Sequence, residues 1–239
     1  MSIRICVGGG SFGTLAALRG RAQADRTLVI DNDAQCRARP YADRITEDAN
    51  SILGSHPGSI YLLVGDGARV LLDILDRWVP DLVVATSRGH LAAHLAVEHF
   101  RRQGKELRPS TDLVPSVIEA LPPGSVLVSD LDQGVVVTSY VPSSIQCPEG
   151  CVQPPVCPVT GQHISEPMHA AIHRAVYDKV DMPIVLKTAH ADDVASVTGQ
   201  EMVAMLSSLD RIEDEGTAAI ATACVCHGFI NLFRLSDNE

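Results

Sequence analysis

The stretch Ile3-Arg4-Ile5-Cys6-Val7-Gly8-Gly9-Gly10-Ser11-Phe12-Gly13 decides the fold. A mostly apolar run ends in a cluster of glycines, after which Thr14 to Arg21 reads as a helix. The order is strand, tight turn, helix. Gly8, Gly10 and Gly13 satisfy G-x-G-x-x-G, a spacing with three physical uses: a tight turn, close approach of backbone to a pyrophosphate, and close packing of helix on strand. The free N–H groups at the helix start attract phosphate to the same point. Glycines at this spacing also serve plain turns, so the residues that follow decide between the two readings. Thr27-Leu28-Val29-Ile30 is a second strand that ends at Asp31, close to the ~20-residue offset at which an acid meets a ribose hydroxyl. A carboxylate there repels a 2′-phosphate and favours NAD or another adenine nucleotide over NADP. Arg37 and Arg39, just beyond, weaken that preference. Asp33 is either a second ribose contact or a solvated turn residue.

The pattern continues for two more units. Ser59 to Val64 reads as a strand, Gly65-Asp66-Gly67 as its turn, and Ala68 to Trp78 as a helix. Asp81 to Thr86 is an unbroken apolar run of the kind a buried parallel strand requires. A helix follows over roughly 89–103, with His90 and His94 one turn apart. Such a pair can bind metal, but on a plain amphipathic helix exposed or capping roles are favoured.

The glycine turn, Val29-Ile30-Asp31-Asn32-Asp33, Val64-Gly65-Asp66 and Val83-Val84-Ala85-Thr86 resemble the TrkA-N (RCK-type) nucleotide-binding domain over about residues 1–105. The resemblance implies that Gly8, Gly10 and Gly13 hold a pyrophosphate, that Asp31 holds the ribose, and that Asp66 lies near the nucleotide. It implies binding of NAD, NADH, ATP or ADP, in a family that regulates potassium transport. Nothing after residue 105 resembles that family's ligand-sensing C-terminal domain.

Composition limits the alternatives. The 239 residues are 46% hydrophobic and 20% charged, which excludes bulk disorder. A net charge of -10 excludes non-specific nucleic-acid binding, which needs clustered Lys and Arg. The expected partners are a small-molecule substrate or a partner protein, with a homo-oligomer such as a homodimer left open. No apolar run reaches the ~18 residues of a membrane span, and the chain opens directly on a strand, so a cytoplasmic location is expected. Seven unevenly clustered cysteines fit metal or redox chemistry in a reducing compartment better than a disulfide framework.

The expected architecture is α/β: a parallel-sheet Rossmann-type domain over 1–107, then a second, smaller α/β domain over 108–239 with a cysteine-rich loop. Lys105 to Pro115, charged and broken by prolines, marks the boundary. Beyond it a short helix over 113–121 and two interior strands, 125–129 and 134–140, are expected. They lead to Cys147-Pro148-Glu149-Gly150-Cys151-Val152-Gln153-Pro154-Pro155-Val156-Cys157-Pro158, a stiff loop with three thiols. Ser165-Glu166-Pro167 reads as the capped start of a helix over 168–180 that carries His169 and His173, and His163 lies just outside it. Ile184 to Leu186 reads as a strand, with Lys187 and His190 at its end as candidates for anion binding or proton transfer. A helix over 199–209 and a strand over 217–223 follow.

That strand runs into Cys224-Val225-Cys226-His227-Gly228. Strand alternation would send Cys224 and Cys226 to one face, where both could join Cys147, Cys151 and Cys157 on one metal centre. A [4Fe–4S] cluster needs about four thiolates, and three local cysteines plus a distant one supply them. Zinc is the alternative, with free or redox-active thiols a third reading, including a Cys224–Cys226 disulfide. His227 is a ligand or an acid/base partner of a thiolate, and Gly228 permits close approach beside it. Together these expectations describe an NAD(H)-binding, iron–sulfur oxidoreductase with catalytic candidates His227, Lys187 and His190. The alternative is a nucleotide- and redox-sensing regulatory protein with a structural metal.

Overall fold

The computed structural model of the protein describes residues 2–145, 147, 151–191 and 194–237, with the side chains of residues 190, 191 and 194 outside the description. The chain divides into two compact units, one of residues 1–98 with 190–204 and the other of residues 99–189 with 205–239. The two are of similar length, and both mix helices with a sheet.

In the first unit β1 (Ile3–Val7), β2 (Arg26–Asp31), β3 (Arg44–Thr46), β4 (Ile60–Val64) and β5 (Leu82–Ala85) form a parallel array in the order β5-β1-β2-β4-β3. Helices α1 (Ser11–Ala22), α2 (Gly67–Leu75) and α3 (Leu91–Arg102) follow β1, β4 and β5. With β3 set at the edge beyond β4, the order β5-β1-β2-β4 is that of a doubly wound α/β sheet. The central strands are buried on both faces, which is why Ile5, Cys6, Leu28 and Val29 are all closed off from solvent. Arg4 is an exception inside this array. Only 2% exposed, it is held by Asp25 at 2.9 Å and by the Ala16 carbonyl at 3.1 Å.

The second unit is built on a six-stranded sheet among the described residues, with the path β7-β8-β13-β12-β9. Its members are β6 (Lys105–Pro109), β7 (Val126–Asp130), β8 (Val135–Ser139), β9 (Met182–Lys187), β12 (Thr217–Ala223) and β13 (His227–Asp237). Helices α4 (Val114–Ala120) and α5 (Met168–Val176) pack on it. The α5 side chains Met168, Ala171, Ile172, Ala175 and Val176 are buried at the spacing of one helical face. β13 is long enough to pair with β12 along one side and with β8 and then β6 along the other.

Short strands β10 (Ala189–Ala191) and β11 (Val194–Val197) join the first sheet, where β11 runs antiparallel to β5. Helix α6 (Gly199–Leu209) follows β11. The two-unit division therefore differs from a single cut at residue 107, because 190–204 belong with the first unit and 99–107 with the second.

Four local expectations are corrected. Lys105 to Pro109 is strand β6 rather than linker; it pairs with β13 and buries Leu107. β7 is an edge strand with an exposed face, not an interior one. Lys187 and His190 do not share one strand end: Lys187 ends β9, whereas His190 lies within the next strand, β10. Ser165 is not the cap of α5, whose first amides donate to carbonyls elsewhere, as described below.

Candidate functional site

The carboxyl ends of β1, β2, β4 and β5 open on one cleft of about 680 Å³, a size suited to a cofactor. Its walls include Gly8 and Gly10 from the glycine turn, Asp31, Asp66, Thr86 and His94. β1 sits between β2 and β5, the point where strand order reverses and where open α/β sheets bind ligands. Four of the five residues assigned to the nucleotide thus meet at this point. Gly13, the fifth, lies behind it in α1.

Each glycine of the turn has its own reason. Gly8 has φ +107°, and a Cβ there would come within 2.6 Å of the Ser87 amide. A Cβ on Gly13 would run into the carbonyl oxygen of Gly8, so α1 can pack on β1 only with glycine at that position. A Cβ on Gly10 would meet nothing within 4 Å. The fold does not require glycine there, whereas a ligand approaching the backbone does. Thr86 holds the turn from the β5 side: its amide donates to the Val7 carbonyl at 2.8 Å and its hydroxyl to the Gly8 carbonyl at 2.8 Å.

Gly10 is the N-cap of α1, makes no side-chain cap and itself lines the cleft, so a twelve-residue helix starts at the cleft wall without a capping side chain. Arg37 donates to the Ser11 hydroxyl at 2.9 Å, which brings a guanidinium to the same helix end. Asp31 does two local jobs: its carboxylate accepts from the Gly9 amide at 2.5 Å and from the Asp33 amide at 2.8 Å. Asp33 in turn accepts from the Gln35 amide at 2.8 Å, as its reading as a turn residue anticipates. Asp66 caps α2 by accepting from the Arg69 amide at 2.9 Å. His90 is buried and precedes α3, while the His94 ring packs against Gly89 and lines the cleft, so the two do not form a pair on one helix.

The cysteines of the second unit form a separate group. All seven cysteines are free. Cys224-Val225-Cys226 is a tight turn between β12 and β13 and not part of a strand, so the alternation argument for Cys224 and Cys226 does not apply. The Cys224 amide closes the turn on the His227 carbonyl at 2.9 Å. Its sulfur then accepts from the amides of Cys226 at 3.4 Å and His227 at 3.3 Å. The turn sits at the start of α5, where the Met168 and His169 amides donate to the Val225 and Cys224 carbonyls at 2.8 and 3.1 Å. Those carbonyls do the capping that Ser165 was expected to do. Gly228 favours this packing, because a Cβ there would meet the Ile172 Cδ1 of α5 and the Thr138 hydroxyl oxygen, so the bare backbone lets α5 approach.

The loop and this turn meet as their sulfur content suggests. The Val225 amide donates to the Gln153 side chain at 3.1 Å. The His227 ring lies between two sulfurs, with Nε2 at 3.8 Å from Cys147 and Nδ1 at 3.8 Å from Cys224. Burial, reinforced by the neighbouring Cys224, Cys147, Cys157 and Cys151 sulfurs, pushes the Cys226 thiol up to about 12. Burial and the sulfurs of Cys151, Cys157 and Cys224 raise Cys147 as well. Cys157 moves the other way, lowered by hydrogen bonds from the Thr160 hydroxyl and from the Thr160 and Val159 amides. Among the described residues, no three His, Cys, Asp or Glu side chains already stand as a group that could hold a metal ion.

Of the remaining candidates, Lys187 is exposed at the end of β9, in register with Ala223, one residue before Cys224. His190 has backbone in β10, and its side chain lies outside the described residues. His163 is exposed in an isolated bridge to Val156. Sequence reasoning missed Arg37 as a neighbour of the helix start and Thr86 as the lock on the glycine turn. Arg37 carried a signal in its charge, but its direction depends on the Cys36–Tyr41 turn. No helix among the described residues is long and apolar enough to cross a membrane.

The chain is similar to a protein of Archaeoglobus fulgidus described as "Uncharacterized protein", with 27% identity over 230 residues that span 96% of this chain and 98% of that one. Among solved structures it is similar to N5-carboxyaminoimidazole ribonucleotide synthetase from Thermotoga maritima, at a TM-score of 0.30 and 15% identity, over 57% of this chain and 38% of that one. The chain therefore matches well under half the length of that enzyme. A family model described as "Uncharacterized protein, C-terminal domain" matches residues 92–236, more than half of the sequence, and the chain belongs to this AF_1314_C family.

Proposed function

We propose that the protein binds NAD(H) or another adenine nucleotide in the cleft of the first unit. The observation that carries this reading is the division of labour among the glycines: Gly8 and Gly13 are required by the fold, whereas Gly10 borders open space beside an uncapped helix start. The pyrophosphate would take the α1 amides, with Arg37 available to a phosphate oxygen. The ribose would take a remaining lone pair of Asp31, since each of its carboxylate oxygens already accepts one amide. The bound nucleotide supplies either redox chemistry or a regulatory signal, and the two uses correspond to a redox enzyme and to a sensor related in kind to TrkA-N domains.

Titration calorimetry of the full chain with NAD, NADH, ATP and ADP tests the binding. At least one should bind, and Gly10→Ala should weaken it by about tenfold or more, which is about 1.4 kcal/mol, at unchanged melting temperature. Lack of binding by all four at millimolar concentration would refute the proposal. Oxidation of NADH by the intact protein with an artificial electron acceptor separates the enzyme from the sensor.

A further inference from the structure

The walls of the first unit's cleft are unequal. On the β2 and β4 side stand Asp31 and Asp66, each already accepting from at least one backbone amide. On the β5 side the chain runs Thr86-Ser87-Arg88-Gly89 toward α3, and Ser87, Arg88 and His94 line the cleft. The Thr86 hydroxyl is taken up by the Gly8 carbonyl. The Ser87 hydroxyl, the Arg88 guanidinium and the His94 ring have no hydrogen-bond or ion-pair partner among the described residues. Gly89, at φ +84°, seats the ring: a Cβ there would come within 2.7 Å of the His94 Cε1 and 3.2 Å of its Nε2. The imidazole therefore lies on bare backbone, one residue from Arg88.

The charges sort the same way. Glu98, buried in the wall one turn beyond His94, is bridged by Arg69 of α2 at 3.5 Å. With that pair matched, the cleft keeps Asp31 and Asp66 on one side and the Arg88 guanidinium on the other. Helix α2 starts behind its Asp66 cap, whereas α3 starts just after Arg88 with no acid in its first turn. A helix start without an acid keeps its positive end for an outside anion. The guanidinium is a planar fork that matches a phosphate, and the serine hydroxyl and imidazole add further donors. The α1 start, where the first phosphates of a nucleotide would lie, follows β1, and β5 is the next strand, about 4.8 Å away. A phosphate chain that continues past α1 toward β5 meets Ser87, Arg88 and His94. A dinucleotide would instead place a nicotinamide there, neutral when reduced and positively charged when oxidised, and Arg88 would repel the oxidised form.

We propose that the cleft takes a nucleoside triphosphate in preference to a diphosphate or a nicotinamide dinucleotide, with Ser87, Arg88 and His94 holding the terminal phosphate. The proposal rests on the reading of this cleft as a nucleotide site and narrows it to one ligand class. It adds a second anion subsite, between β5 and α3, to the one at α1. A separate anion bound beside a diphosphate has the same chemistry as a terminal phosphate, and the experiment tells the two apart.

Titration calorimetry of the full chain with ATP, ADP and NAD, in one magnesium-containing buffer, is the test. ATP should bind at least about tenfold tighter than ADP or NAD, the scale of one hydrogen bond to a charged group. Arg88→Gln and His94→Gln should each weaken ATP by about fivefold or more and shrink its advantage over ADP. Gly10→Ala should weaken ATP and ADP by the same factor, because it acts at the α1 start. Arg88 and His94 are both exposed, so thermal melts of their variants should match the parent chain. ADP titrated in excess inorganic phosphate should keep its lower affinity; a rise to that of ATP would assign the β5 subsite to a separate anion and overturn the proposal. Equal affinity for ATP and ADP, NAD binding tighter than ATP, or an Arg88→Gln chain that loses ATP and ADP equally would also overturn it and leave the nucleotide reading standing. Binding by none of these and not by NADH would refute both.

Discussion

Gly10 and Gly13 stand three residues apart in one turn yet answer to different constraints. Gly13 faces the Gly8 carbonyl so closely that no side chain fits, and the neighbour it would strike is backbone, which cannot rotate away. Gly13→Ala should therefore cost at least about 2 kcal/mol of stability, the range for a forced overpacking of a core contact, read as a lower denaturation midpoint in urea. Gly10→Ala should leave that midpoint unchanged. The sequence motif treats the two alike, and only the positions of their neighbours separate them. Asp31 shows the opposite case, one residue with two uses. It braces the turn through the Gly9 amide, so replacing it perturbs the loop along with any ribose contact.

Among the elements, β9 and β12 are parallel neighbours joined at their starts by a side chain. The Asp181 carboxylate accepts from the Thr217 amide at 2.8 Å and from its hydroxyl at 2.9 Å. These bonds, from the Thr217 amide and then its side chain, hold the Asp181 carboxyl below its ordinary value. A carboxyl lowered in the folded state contributes stability that is present above its unfolded value, about 3.9, and is lost as pH falls through the folded value. Asp181→Asn should thus be less stable than the parent chain at pH 7, by about 1 kcal/mol, and the gap should close on acidification below about pH 4. Thermal melts of both chains across that range check it. A gap that stays constant with pH would assign the effect to packing instead. At the start of α6, Thr198 and Glu201 make a reciprocal capping box, the Thr198 amide donating to Glu201 at 2.9 Å and the Glu201 amide to Thr198 at 3.1 Å. That helix, and strand β12, have the bounds their sequences predict.

At the scale of the molecule, the first unit is discontinuous in sequence. β11 covers the edge of β5, and the residues that form it come more than a hundred positions later. An uncovered β5 would present an apolar strand edge with unpaired backbone groups, a template for aggregation. A fragment of residues 1–107 would lack β10 and β11 and carry β6 without its partner β13. It should therefore aggregate or unfold well below the melting temperature of the full chain, as size-exclusion chromatography and calorimetry would show. A soluble, cooperatively folding 1–107 fragment would mean that β11 is dispensable.

The sequence by itself determined the parallel core and the glycine turn, because buried strands need continuous apolar runs and a strand–turn–helix junction needs glycine at fixed offsets. It also determined which residue types gather at each candidate site, since sulfur and carboxylate chemistry is written in the residue itself. Tertiary structure alone decided the rest. Lys105 to Pro109 is a strand because β13 offers it a free edge, and residues 194–197 return to the first sheet because β5 does. The Cys224 sulfur faces amides and not a strand neighbour because the chain turns there to cap α5. In each case the deciding partner is distant in sequence, and local periodicity carries no information about which backbone groups a distant segment leaves open.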